Sequence, residues 1–239
     1  MQRKSLTAAL VVVSCVLFAP GAHSETLFAD EFDGEDLAPH WEVLNADPDS
    51  FIVEDGTLLA IATGGAALSD GSVANVFRLK ESLPKGDWVA TMQFRMPYQT
   101  GRETAFFGLY DDKDTYFAAS LGAWSYYEGT RGARLFLGAG KSVKGKAISF
   151  SNVIWGGAGG EAFDLDSVPN PFVLRIEKMG RTYIPSVRVA QGAEETWHTF
   201  QSVSLLRPSG GLAFGLYQAE TVNGETPIMV DWIRIETAP

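Results

Sequence analysis

Cysteine is nearly absent: the 239-residue chain has one, Cys15, and only three histidines. A lone thiol closes no internal disulfide, and a His/Cys zinc site lacks its ligands. No apolar run reaches the roughly 20 residues that a membrane span needs; the longest, Leu6–Phe18, falls short. No ten-residue window combines a helical period with caps, so helices are not expected to build the fold. Also missing are a Gly-x-Ser-x-Gly elbow and a phosphate-cradling loop, since Gly156–Gly160 carries no P-loop lysine and no following helix. Cations are outnumbered, 19 Lys and Arg against 29 Asp and Glu. That balance argues against nucleic acid or anionic lipid as a partner.

What is present begins with a leader. Arg3 and Lys4 precede Leu6–Phe18, and Ala22-His23-Ser24 offers a small-x-small cleavage site. This is the layout of a secretory signal peptide. Residues 1–24 are expected to be removed and 25–239 to form a single domain, secreted or periplasmic. Val12-Val13-Ser14-Cys15 loosely resembles a bacterial lipobox, so lipid anchoring at Cys15 is the alternative. Cleavage after Ser24 removes the only cysteine, and the remaining domain must hold together without disulfides.

The rest of the chain alternates. In Trp88–Met96, the residues Trp88, Ala90, Met92, Phe94 and Met96 share one face, and Val89, Thr91, Gln93 and Arg95 the other. Such a pattern suits an antiparallel strand packed on one side only. Ala105–Tyr110 and Thr115–Gly122 flank Asp111-Asp112-Lys113-Asp114 as a second pair, with Phe106, Tyr110, Tyr116 and Ser120 facing outward. Asp55-Gly56 and Met179-Gly180-Arg181 mark further hairpins. Short alternating runs at regular spacing predict an all-β fold. In Ile228–Glu236, strict alternation puts Asp231 in a row with Met229, Ile233 and Ile235. At the other end of the chain, Asp30 shares a face with Phe28 and Phe32.

The opening LFADEFDGEDLAPHWEVLNADPDSFIVEDGTLLAI resembles that of concanavalin A-like (laminin-G-like) sandwiches. It is most similar to the domain at the C-terminus of many β-xylosidases and its stand-alone relatives. AFFGLYDDKDTYFAASLG, FVLRIEKMGRTYIPSVRVAQGAEETWHTFQSVSL and GLAFGLYQAETVNGETPIMVDWIRIE resemble later parts of the same family. The resemblance implies an antiparallel two-sheet jelly-roll. It also implies that the first and last strands lie close together, a place where such folds often hold structural calcium. Asp30 and Asp231 are the expected ligands, the alternative being that each accepts backbone N–H groups or pairs with an arginine. The opening also resembles family-16 glycoside hydrolases. Their Glu-x-Asp-x-x-Glu strand is absent: the comparable stretch reads Thr115-Tyr116-Phe117-Ala118-Ala119-Ser120-Leu121. Retaining hydrolysis needs two carboxylates close together across the sugar.

Three other groups could carry chemistry. Asp111, Asp112 and Asp114 read as a turn rather than a calcium loop. Glu161, Asp164 and Asp166 read as a solvated loop, with an acid/base pair as the alternative. His40 reads as a turn residue and His198 as a structural one. The aromatic set is a better lead. Tyr110, Tyr116, Trp124, Tyr126, Tyr127 and Trp155, with Gln93 and Arg95, are expected to form a groove of stacking rings and hydrogen-bond donors. Sugars present apolar C–H faces and polar rims that suit such a surface. The expectation is a carbohydrate-binding sandwich without catalytic residues, its partner a polysaccharide or glycan. The alternatives are a polysaccharide hydrolase or lyase with another site, and an adhesive module without a sugar ligand.

Overall fold

A computed structural model describes residues 24–62, 65, 67–98, 103–124, 134–155, 170–191, 194–206, 210–218 and 227–238. Its first strands are β1 (Thr26–Asp30), β2 (Trp41–Leu44), β3 (Phe51–Glu54), β4 (Thr57–Ile61) and β5 (Val76–Leu79). The middle of the chain gives β6 (Trp88–Arg95), β7 (Glu103–Asp112), β8 (Thr115–Trp124), β9 (Arg134–Val143) and β10 (Lys146–Trp155). Then follow β11 (Phe172–Met179), β12 (Thr182–Gln191), β13 (Glu194–Thr199), β14 (Val203–Ser204), β15 (Gly211–Gln218) and β16 (Pro227–Thr237). Among the described residues the only helical pieces are two single 3-10 turns, Pro48–Ser50 and Leu68–Asp70, so none is long and apolar enough to cross a membrane.

The strands form two antiparallel sheets. The nine-stranded sheet runs β13-β12-β11-β6-β16-β4-β3, with β1 added on β16 and β14 on β12. The seven-stranded sheet runs β10-β9-β8-β7-β15-β5-β2. This is the all-β jelly-roll sandwich expected from the alternation. The inward row of β6 (Trp88, Ala90, Met92, Phe94) meets the inward rows of β7 (Phe107, Leu109) and β8 (Phe117, Ala119, Leu121) in one core. Aromatic rings run through that core: Phe77 stacks on Phe214 at 5.0 Å between ring centres, and Trp41 meets Phe214 edge-on at 5.1 Å. Such contacts contribute beyond the area they bury.

The last strand departs from simple alternation. Ile228, Val230, Ile233 and Ile235 are all buried, although the first two and the last two lie on opposite faces of an unbroken strand. The register of β16 against β6 slips between Val230 and Trp232. A bulge there inserts one extra residue and reverses the phase beyond it. Asp231 is therefore not in an apolar row. It lies on the outer face with Gln93 and Arg95, where Arg95 Nη2 donates to its Oδ1 at 2.7 Å and Gln93 Nε2 to its Oδ2 at 3.2 Å.

β1 pairs with β16 as the resemblance implied, with Asp30 opposite Ile233. Directly opposed residues point to the same face, so Asp30 faces inward and is buried. Its Oδ1 accepts the Phe32 N–H at 2.8 Å, while its Oδ2 accepts the Trp41 indole N–H at 2.7 Å and meets His40 Nε2 at 2.7 Å. The chain leaves β1 through Phe32, whose φ of 52° turns it back over the core.

Asp30 and Asp231 thus face opposite sides of one sheet and share no hydrogen-bond partner. Calcium takes six to eight oxygens, whereas here N–H donors and a guanidinium occupy the two carboxylates. These residues do not fit a shared calcium site. The Arg95–Asp231 pair is largely exposed on the arginine side, so Asp231→Asn is expected to cost less than about 1 kcal/mol. Thermal melts with and without chelator test the calcium reading. A chelator-induced fall in the melting temperature that disappears in Asp231→Asn would restore it.

Candidate functional site

The two outer faces of the sandwich differ. On the seven-stranded sheet, Phe106, Tyr110, Ala118 and Ala213 face outward, yet they are buried in a second, smaller cluster with Leu68, Val73 and Val76. The stretch around the 3-10 turn Leu68–Asp70 covers this half of the face. Asp70 organises that stretch: its Oδ2 accepts the Ala67 N–H at 3.1 Å, and its Oδ1 accepts the Ser72 N–H at 2.9 Å.

Where the cover ends, a trough of about 320 Å³ begins. Its floor and far side come from β8, β9 and β10 and are mostly small residues, Ala118, Ser120, Gly138, Ala139, Gly140, Ala147, Ser149 and Ser151, with the half-exposed Phe150 among them. Tyr116, Tyr217, Leu68 and Ser69 stand at its near side. Gly138 is tightly placed: a Cβ there would lie 2.7 Å from Ser120 Oγ and 3.1 Å from the Phe150 carbonyl, so both would have to give way. Gly140 is different: a Cβ there would make only ordinary contacts at 3.8 Å, with the Ile148 carbonyl, Ser149 Cβ and Tyr116 Cε2, so a side chain can begin there without a clash.

Two tyrosines border this space. Tyr116 stacks on Tyr110 at 6.2 Å and is hydrogen-bonded to Ser69; burial raises the pKa of each phenol. The Tyr217 hydroxyl is bonded with those of Thr104 and Ser120, and burial, aided by nearby Tyr116, pushes its pKa up to about 12. The ordinary tyrosine value is 10, so an unfolded chain releases this proton first. The stabilisation is complete below pH 10 and is lost as the pH rises through 12. Burial also raises the Tyr98 phenol well above the ordinary value, so ultraviolet tyrosinate titration of folded protein is expected to show several late-ionising phenols, one fewer in Tyr217→Phe. Complete titration near pH 10 would contradict this burial.

The structure divides the sequence-derived groove. Tyr110 and Tyr116 lie on β7 and β8 of the seven-stranded sheet, whereas Gln93 and Arg95 lie on β6 of the other sheet. Both pairs face outward, so the body of the sandwich separates them. Tyr110 is buried under the 3-10 turn and offers no free ring face. Trp124 ends β8 and Trp155 ends β10; Tyr126, Tyr127, Glu161, Asp164 and Asp166 lie outside the described residues. The Asp111–Asp114 stretch closes the β7–β8 hairpin, with Asp112 Oδ1 accepting the Asp114 N–H at 2.8 Å. His198 lies in β13 opposite Val187, and its buried Nε2 has no hydrogen-bond partner. Among the described residues no three His, Cys, Asp or Glu are grouped to hold a metal.

Tyr217, Ser149, Ser151 and Gly140 were missed. A signal was present: Gly138 and Gly140 in β9, and Ser149 and Ser151 in β10, recur at spacing two. Small residues at that period mark a shallow strip on a sheet, but periodicity cannot tell a trough from a face covered by another segment.

No family model and no curated protein sequence matches this chain. Solved structures match it in fold. A GH43 protein of Bacillus licheniformis superposes with a TM-score of 0.64 at 15% identity, covering 88% of this chain and 39% of that one. A xylan β-1,4-xylosidase of Bacillus halodurans gives 0.62 at 14%, covering 87% and 38%. The chain thus spans about two fifths of these proteins. A CBM2 module from the evolved Dit of Lactobacillus casei BL23 phage J-1 gives 0.57 at 11%, covering 89% and 95%. A β-glucanase of Bacillus licheniformis gives 0.54 at 10%, covering 92% and 100%. Together with the two antiparallel sheets, these matches give the chain a concanavalin A-like sandwich fold.

Proposed function

We propose that this chain is a secreted, non-catalytic carbohydrate-binding sandwich whose ligand lies in the trough over β8, β9 and β10. The carrying observation is the composition of that trough: serine hydroxyls over a floor of glycine and alanine, with Phe150, Tyr116 and Tyr217 beside them. A sugar ring needs a flat apolar contact for its C–H face and donors and acceptors around its rim. At about 320 Å³ the space is at the small end for a ligand pocket, which suits a short glycan segment. The carbohydrate-active and carbohydrate-binding neighbours in fold point the same way, and the leader supports secretion.

The test fills the trough without removing an anchor. Gly140→Leu starts from a Cβ whose nearest neighbours lie at 3.8 Å, without a clash, so the fold is expected to tolerate it. Affinity electrophoresis through gels containing neutral polysaccharides should show retardation of the wild-type protein and a loss of at least tenfold in affinity for Gly140→Leu, with the melting temperature little changed. Equal retardation of the two proteins would exclude the trough. Release of reducing ends or unsaturated products by the wild-type protein would exclude a purely binding role.

A further inference from the structure

The opposite face of the sandwich holds a second aromatic site. Trp197, on the edge strand β13, is 41% exposed. Its ring spreads over neighbouring strands, with the Arg175 guanidinium 5.5 Å and the Arg188 guanidinium 5.8 Å from its centre. Cations at that range hold an indole in place. Beside the ring, a cavity of about 270 Å³ is bordered by Val89, Thr91, Arg175, Glu236 and Thr237, from β6, β11 and β16, and by Ser24, the last residue of the expected leader, whose hydroxyl donates to Glu236 at 3.4 Å.

The polar groups around this cavity are mixed. Arg175 Nη2 donates to Glu177 at 2.6 Å, while its buried Nε has no hydrogen-bond partner. Glu236 brings a carboxylate to the same cavity, and Thr91 a hydroxyl. A cation and an anion facing one space favour neither a carboxylate nor an ammonium ligand. They suit a neutral polyol, whose hydroxyls both donate and accept. A held tryptophan ring supplies the platform for the C–H face of a sugar.

We propose that Trp197, Arg175, Thr91 and Glu236 form a second neutral-carbohydrate site, on the face opposite the trough. Combined with the trough, on whose reading this step rests, it makes the protein bivalent. The sheets of a sandwich pack about 10 Å apart, so the two sites open in opposite directions and one short glycan cannot fill both. Two glycan chains can, and the protein then bridges them. Linking two such sites raises apparent affinity for a polymer well above that for an oligosaccharide.

Calorimetry with a neutral oligosaccharide that retards the protein, or with xylohexaose and cellohexaose if none does, tests the two sites separately. The expected result is two sites in the wild-type protein and one in each of Trp197→Ala and Gly140→Leu. In the same series, the wild-type protein clouds a polysaccharide solution and either single variant does not. Arg175→Gln serves as a second probe, expected to weaken the Trp197 site at least fivefold with that indole intact. Unchanged stoichiometry in Trp197→Ala together with unchanged affinity in Arg175→Gln overturns the second site and leaves the trough standing. Unchanged stoichiometry in Gly140→Leu overturns the trough, and binding of no oligosaccharide by the wild-type protein overturns both.

Discussion

Replacing Asp30 by alanine is expected to remove about 3–5 kcal/mol of stability, because it strands buried donors around a charged acceptor. Asp30 ties three segments together: its carboxylate receives the Phe32 backbone N–H and the Trp41 indole N–H and meets His40 Nε2, all within 2.8 Å. Trp41 is 3% exposed and packs on Phe214 in the core. With no carboxylate its indole N–H loses the acceptor it has in the folded chain. Domains of ordinary stability hold about 5–15 kcal/mol in all, so this loss would leave the sandwich marginal. Urea unfolding followed by tryptophan fluorescence measures it, and Asp30→Asn, which retains one acceptor oxygen, should fall between. A loss below about 1 kcal/mol for Asp30→Ala would show that the network is dispensable.

Gly108→Ala is the second large effect. Gly108 lies in the middle of β7, paired with Ala118 of β8 and Ala213 of β15. A Cβ there would sit 2.0 Å from the Phe117 carbonyl oxygen and 2.6 Å from the Ala118 Cα. Both obstacles are backbone, so no rotamer change relieves them and the β7–β8 ladder must move. Overpacking of this kind costs about 3 kcal/mol or more when the neighbours cannot yield. Gly140 in the same sheet is the control. Its would-be Cβ meets nothing closer than 3.8 Å, an ordinary contact, so Gly140→Ala is expected to be neutral or to stabilise by up to about 1 kcal/mol. Comparable midpoints for the two alanine variants in one denaturant series would refute the close approach at Gly108.

The strands themselves were readable because their signal is local. The alternation over Trp88–Met96 predicts β6 within a residue, and Asp111–Asp114 predicts the turn between β7 and β8. In the strand-like run Val73–Leu79 pairing begins only at Val76, because Val73 instead packs in the outer cluster with Leu68. The run Trp197–Leu205 is divided between two pieces, β13 and β14, both on β12. In each case a run of suitable residues was visible, and a partner elsewhere in the chain decided where pairing stopped.

By itself the sequence determined the class of fold, the inward row of most strands, the hairpins and the lack of a disulfide framework. These depend on a side-chain period of two and on turn chemistry, which act over a few residues. Tertiary structure decided which sheet each strand joins. Gln93 and Arg95 therefore part from Tyr110 and Tyr116, although all four are outward residues of good strands. The bulge between Val230 and Trp232 likewise puts Asp231 on the solvent side and leaves Asp30 facing the core. Strand order and register come from pairings between residues as far apart as β1 and β16. No local period encodes them, so both candidate carbohydrate sites became visible only when strands distant in sequence were laid side by side.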